Sequence, residues 1–163
     1  MLPFAAMGPD LHPDLEPLAF LLGRWIGEGE GRWPADAEPF GYREKMSLEH
    51  VGDTFLLYAQ GSFSPDGTEP LHFERGFLRP AGPGRIEALL AYPLGIVEVA
   101  EGTLEGTTIE LASTSVGTSV TGSAVTELRR RIRVEGDVLT YELDMAMRDV
   151  PLTRHLDGRL RRV

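Results

Sequence analysis

The sequence predicts an all-β protein: an antiparallel up-and-down barrel of about ten strands with one short helix near its start. Three observations carry this expectation. From Gly23 onward, extended segments follow one another with short connections. Several are marked by turn sequences: Pro65-Asp66-Gly67, Gly82-Pro83-Gly84, Glu105-Gly106 and Glu135-Gly136-Asp137. The late segments alternate cleanly. Leu139, Tyr141, Leu143, Met145 and Met147 fall on one face, and Thr140, Glu142 and Asp144 on the other. In the segment before, Leu128, Ile132 and Val134 oppose Glu127, Arg129, Arg131 and Arg133. Finally, the run from Gly23 to Gly31 carries glycine at 27, 29 and 31 after Trp25, so one strand has a face without side chains.

In chain order, the helix is expected over Leu15 to Leu22, with Asp14 as N-cap and Gly23 as the stop. It is short enough to plug an open end of the barrel. Ten strands follow: Gly23–Trp33, Phe40–Val51, Thr54–Phe63, Leu71–Arg79, Arg85–Tyr92, Gly95–Leu104, Thr107–Thr114, Val125–Val134, Val138–Met147 and Leu152–Arg162. Ser113–Ser123, rich in Ser, Thr and Gly, reads as a mobile loop. No linker or repeat divides residues 1–163, so a single domain is expected. A barrel of this many strands is wider than side chains readily fill, which points to an internal ligand cavity.

Composition narrows the function. With no cysteine, the 163-residue chain has no disulfides, thiolate catalysis or thiolate metal sites, and no Cys-x-x-Cys-His for covalent haem attachment. A formal net charge of −9 argues against a nucleic-acid surface. No apolar run reaches the length of a membrane span, so no membrane partner is expected. The start, Met1-Leu2-Pro3-Phe4-Ala5-Ala6-Met7, lacks the pattern of a secretory signal, which gives a cytoplasmic expectation. There is no nucleophile–base pair and no phosphate-binding glycine loop in the sequence, so any enzyme chemistry is expected to come from a bound cofactor.

The bare strand face and the lone His155 in Pro151-Leu152-Thr153-Arg154-His155-Leu156 together suggest a barrel that holds a flat cofactor. On its own a single histidine near a terminus is more often a surface or core residue than a metal ligand. Strict alternation also groups His155 with Thr153 and Asp157, opposite Leu152, Leu156 and Leu160. Either a bulge intervenes, or the leucines pack on the outer side under the helix. Arg32 has two readings, partner of a carboxylate on the cofactor or solvated arginine at a strand end. Glycines 23, 27, 29 and 31 either relieve crowding where the strand coils or leave room for a ligand, and both roles are expected. Trp25 reads as core. His72, two residues before Glu74, reads as a structural hydrogen-bond partner, with His72 and His50 as reserve ligands.

The motif Gly23-x-Trp25-x-Gly27-x-Gly29 resembles the signature of the nitrobindins, small haem-binding β-barrels related to the C-terminal domain of a THAP-domain protein. The resemblance covers nearly the whole chain. Phe40-x-Tyr42-x-Glu44, His50-Val51-Gly52, Pro70-Leu71-His72-x-Glu74-x-Gly76-Phe77-x-Arg79, Gly95-Ile96-Val97-Glu98-Val99, Ile109-Glu110-Leu111, Met145 and Leu152-x-x-His155-Leu156 follow in the family's order. It implies a ten-stranded barrel binding one haem b non-covalently at one mouth. His155 matches the axial iron ligand and, through the iron, the catalytic position. Gly23, Gly27, Gly29 and Arg32 are expected to contribute to cofactor binding. It further implies a ferric iron that binds nitric oxide and isomerises peroxynitrite to nitrate, in a monomer or homodimer. Arg32-Trp33-Pro34-Ala35 departs from the family's pattern at the rim, as does Ser123, where some bacterial members carry lysine. The competing expectation is a non-enzymatic, lipocalin-like carrier of a small apolar molecule, which the same barrel would serve.

Overall fold

A computed structural model describes residues 8–163; the expectation drawn from Met1 to Met7 falls outside the described residues. Ten strands form one closed antiparallel barrel: β1 (Gly23–Gly31), β2 (Phe40–His50), β3 (Leu56–Phe63), β4 (Pro70–Pro80), β5 (Arg85–Tyr92), β6 (Ile96–Glu105), β7 (Thr108–Thr118), β8 (Val125–Glu135), β9 (Val138–Met147) and β10 (Val150–Arg162). Each strand pairs with its neighbour in sequence, and β1 pairs with β10 to close the barrel and remove its edges. The tight turns place Gly67, Gly106 and Gly136 at positive φ, where a side chain would be strained.

Two sequence expectations are corrected. The expected α-helix is a 3-10 helix, Pro13–Leu21, capped by His12 rather than Asp14. Pro13 and Pro17 remove backbone donors within it, which favours the tighter, shorter winding. Leu15, Leu18 and Leu21 therefore line up at intervals of three on one face, and all three are fully buried. The helix plugs the barrel end reached by the start of β1 and the end of β2. Trp25 Nε1 donates to Leu21 O at 2.9 Å, and the Arg162 guanidinium donates to Phe20 O and Leu22 O while lying 4.1 Å from the Trp25 ring centre. The second correction is that β7 runs on to Thr118, so only the latter part of Ser113–Ser123 is loop. Its Ser and Thr residues pair with β6 across a bulge between Val99 and Ala100.

The interior has three levels. At the plugged end lies a dry core of Trp25, Leu48, Leu56, Ile109, Leu139 and Leu160. At mid-height the barrel is filled by polar side chains, described below, where an open cavity was expected. The opposite end, formed by the end of β1, the start of β2 and the start of β10, carries His155.

Candidate functional site

β10 solves the alternation problem with a bulge. Its register against β9 shifts between Arg154 and Leu156, so His155 is the extra residue. The bulge lets His155 sit beside the barrel mouth while Leu156 and Leu160 keep their inward places, both buried. Of the two alternatives, the bulge holds and the outward leucines do not.

The bulged histidine is held from the segment after β1. Arg32 N donates to His155 O at 2.9 Å, and His155 Nδ1 donates to Arg32 O at 3.2 Å. The Trp33 indole meets the imidazole edge-on, ring centres 5.5 Å apart. With Nδ1 carrying the proton, Nε2 keeps its lone pair free. Burial lowers the His155 pKa, and His72 lowers it further, against the opposing bond to Arg32 O. These are the conditions for a metal-ligating imidazole: neutral, one nitrogen anchored to a carbonyl, the other available. Two residues earlier on β10, Thr153 Oγ1 is buried without a hydrogen-bond partner. Apolar side chains complete this end: Trp33, Val116 and Met147 pack on core residues that include Ile96, Val125 and Met145.

Arg32 acts here through its backbone. Its side chain is exposed at a strand end. The glycines do not form an open cradle. A Cβ on Gly29 would lie 2.3 Å from Asp157 O and 2.4 Å from the Tyr42 ring, and one on Gly27 would lie 2.0 Å from Arg159 O. Gly29 and Gly158 face each other across β1 and β10, and a Cβ on Gly158 would strike Tyr141 and Glu44. Gly29 and Gly158 are needed because Tyr42 and Tyr141 fill the space inside them, and Gly27 because the β10 backbone lies close against it. Gly23, paired with Leu48, lies at the plugged end, away from His155. His50 also lies at that end, as the last residue of β2, so among the other histidines in the strands only His72 shares the mouth with His155.

Sequence reasoning missed the polar middle of the barrel. Arg130, buried, forks onto Glu74 at 2.7 and 3.0 Å and donates to the Tyr92 hydroxyl at 3.1 Å. His72 Nε2 donates to the other side of this cluster, Glu74 Oε2, at 2.9 Å, as its spacing suggested. Burial alone would raise the Glu74 pKa; Arg130 and His72 overcome it and hold it down to about 2, so Glu74 is ionised. Tyr58 donates to Glu74 and lies against Gln60 Oε1, and Gln60 Nε2 donates to Glu44. Glu44 meets the Tyr141 hydroxyl at 2.8 Å, Tyr141 meets Tyr42 at 2.6 Å, and Tyr42 donates to Asp157 O at 2.8 Å.

Burial pushes the Glu44 carboxyl up to about 7, against the hydrogen bonds it accepts from Tyr141 and Gln60. The signal for this network was present. Glu44, Glu74, Glu98 and Arg130 each occupy a place where the strand's alternation calls for an inward side chain.

Residues 14–162 match the family model described as the THAP4-like, heme-binding beta-barrel domain. The chain is 44% identical over 160 residues to peroxynitrite isomerase 2 of Mycobacterium marinum, covering 96% of this chain and 99% of the relative. It is 46% identical over 156 residues to the peroxynitrite isomerase of Nocardia farcinica, covering 93% and 92%. The crystal structure of Rv2717c from M. tuberculosis is similar with a TM-score of 0.86 and 41% identity, covering 94% of this chain and 99% of that one.

Proposed function

Since the chain belongs to the THAP4-like, heme-binding β-barrel family, the nitrobindins, we propose that it isomerises peroxynitrite to nitrate with one haem b held at the open mouth by His155. The carrying observation is the anchored, neutral imidazole on the β10 bulge. Bound there, haem would supply a ferric iron able to react with a small oxidant or to take nitric oxide.

The chain's own residues prepare the site. Arg32 O fixes the His155 tautomer and aims Nε2, and Trp33 limits rotation of the ring. Burial keeps His155 unprotonated below its ordinary value, so it stays competent to ligate in mildly acid conditions. Trp33, Val116 and Met147 would cover the porphyrin and exclude water. His72 brings an imidazole to the same mouth, its Nε2–H bonded to ionised Glu74. The Arg32 guanidinium, exposed at the rim, is free to meet a propionate.

Relatives 42–46% identical to this chain carry the name peroxynitrite isomerase, which supports the reaction. A carrier of apolar molecules is disfavoured by a barrel floor of buried carboxylates and an arginine. Within this reading the substrates are small molecules, and the cysteine-free chain suits the cytoplasm. Stopped-flow decay of peroxynitrite with the haem-loaded chain, with nitrate and nitrite yields, tests it. Decay should quicken in proportion to loaded protein and the product should shift to nitrate. Decay no faster than with the haem-free chain would refute it.

A further inference from the structure

The chain has four tyrosines, Tyr42, Tyr58, Tyr92 and Tyr141, and all four lie inside the barrel. Packing alone would be served by phenylalanine, yet every phenol here is bonded into the polar network. Tyr92 is the one beside His72. It ends β5, its ring stands edge-on to His72 at 5.8 Å, and its hydroxyl donates to Glu98 at 2.5 Å while accepting from Arg130 at 3.1 Å. Tyr58 shares the same arginine and donates to Glu74.

A phenol is a poor electron donor while it must lose its proton to water, and a good one when a base is already hydrogen-bonded to it. We propose that Tyr92, with Glu98 as its proton acceptor, is a built-in one-electron reductant for nitrogen dioxide that arises at the mouth. The inference rests on the reading of the mouth as a site for reactive nitrogen oxidants.

The step balances. Nitrogen dioxide takes one electron from the Tyr92 ring and becomes nitrite. The phenolic proton moves to the Glu98 carboxylate, leaving a phenoxyl radical and a carboxylic acid. Arg130 still donates to the phenoxyl oxygen and keeps its charge. Glu98 is a stronger base than an exposed carboxylate because burial raises its pKa, with Arg130 opposing. Tyr58 is the next donor in line: an electron from Tyr58 returns Tyr92 to its phenol as Glu98 gives the proton back, and the Tyr58 proton passes to Glu74. A second nitrogen dioxide meeting the radical couples to the ring and leaves 3-nitrotyrosine, which records where the radical sat.

The test uses the full-length chain, with and without haem. Nitrogen dioxide made by pulse radiolysis is supplied to the haem-free chain. The radical is followed optically and by freeze-quench electron paramagnetic resonance in protein grown on ring-deuterated tyrosine. Nitrotyrosine is mapped on peptides. The expected result is a signal that narrows with the label, with nitration concentrated on Tyr92 ahead of Tyr42 and Tyr141. Tyr92→Phe should lose most of the signal, and Glu98→Gln should slow its formation. If Tyr92→Phe does not fold, the label and the peptide map of the unaltered chain decide. A radical on tryptophan, no narrowing, or nitration spread evenly over the four tyrosines would overturn the proposal. Peroxynitrite decay with the haem-loaded chain is read separately, so a failure of the isomerase reading leaves the radiolysis result standing.

Discussion

At the scale of single residues, the site depends on groups whose charge is set by their surroundings. Glu44 is the clearest case. Its folded-state pKa of about 7 lies above the ordinary 4.5, so between those values the folded chain binds more proton than the unfolded one. Its contribution to stability is fully present below about 4.5 and is lost as pH rises through about 7. Glu44→Gln keeps an acceptor for Tyr141 and removes the titration. The variant should show a flatter dependence of unfolding free energy on pH across that window, measured by urea denaturation; an unchanged slope would show that Glu44 is ionised in the fold. Glu74 has the opposite sign. Held down to about 2, it favours the fold above 4.5 and ceases to do so as pH falls toward 2. His155 was legible as a candidate through the resemblance carried by Leu152-x-x-His155-Leu156, but its partner was not. The anchoring group is the Arg32 backbone, and a backbone carbonyl leaves no trace in residue identity.

At the scale of elements, the strands were legible and their irregularities were not. The alternation of β9 follows directly from Leu139, Tyr141, Leu143 and Met145, all buried. Arg130 stands in the same inward register on β8 between Leu128 and Ile132. Polarity marks it as outward, and only its partners Glu74 and Tyr92, on distant strands, explain its place inside. Gly29 of β1 changes meaning once Tyr42 is seen behind it, as Gly158 of β10 does with Tyr141. If Gly29 left room for a ligand, as expected from the sequence, Gly29→Val would weaken haem binding more than folding. The structure reverses this, because the new side chain would collide with Asp157 O and the Tyr42 ring. Overpacking against backbone should destabilise the barrel by roughly 1–3 kcal/mol or more. Chemical denaturation of the haem-free variant measures it, and wild-type stability would show the space to be open. At the other end, Leu18→Ala in the 3-10 plug should cost roughly 2–5 kcal/mol. Haem binding should be kept, since the plug closes the end away from His155; a shifted haem spectrum in this variant would place the cofactor elsewhere.

At the scale of the whole molecule, the barrel divides its labour along its axis: dry core under the plug, polar network at mid-height, anchored histidine at the mouth. Ten strands and their order could be read from turns and alternation, since an up-and-down meander pairs each strand with its sequence neighbour. The filling of the barrel could not, because it depends on which inward side chains meet across the lumen. The central claim, that the mouth holds haem through His155, is tested most directly by optical titration of the full chain with haemin, comparing the wild type with His155→Ala and His72→Ala. The account predicts saturable binding with a histidine-ligated spectrum in the wild type and in His72→Ala. In His155→Ala it predicts loss of that spectrum and faster release of haem, with folding preserved. A normal histidine-ligated spectrum in His155→Ala would contradict the account and make His72 the leading ligand.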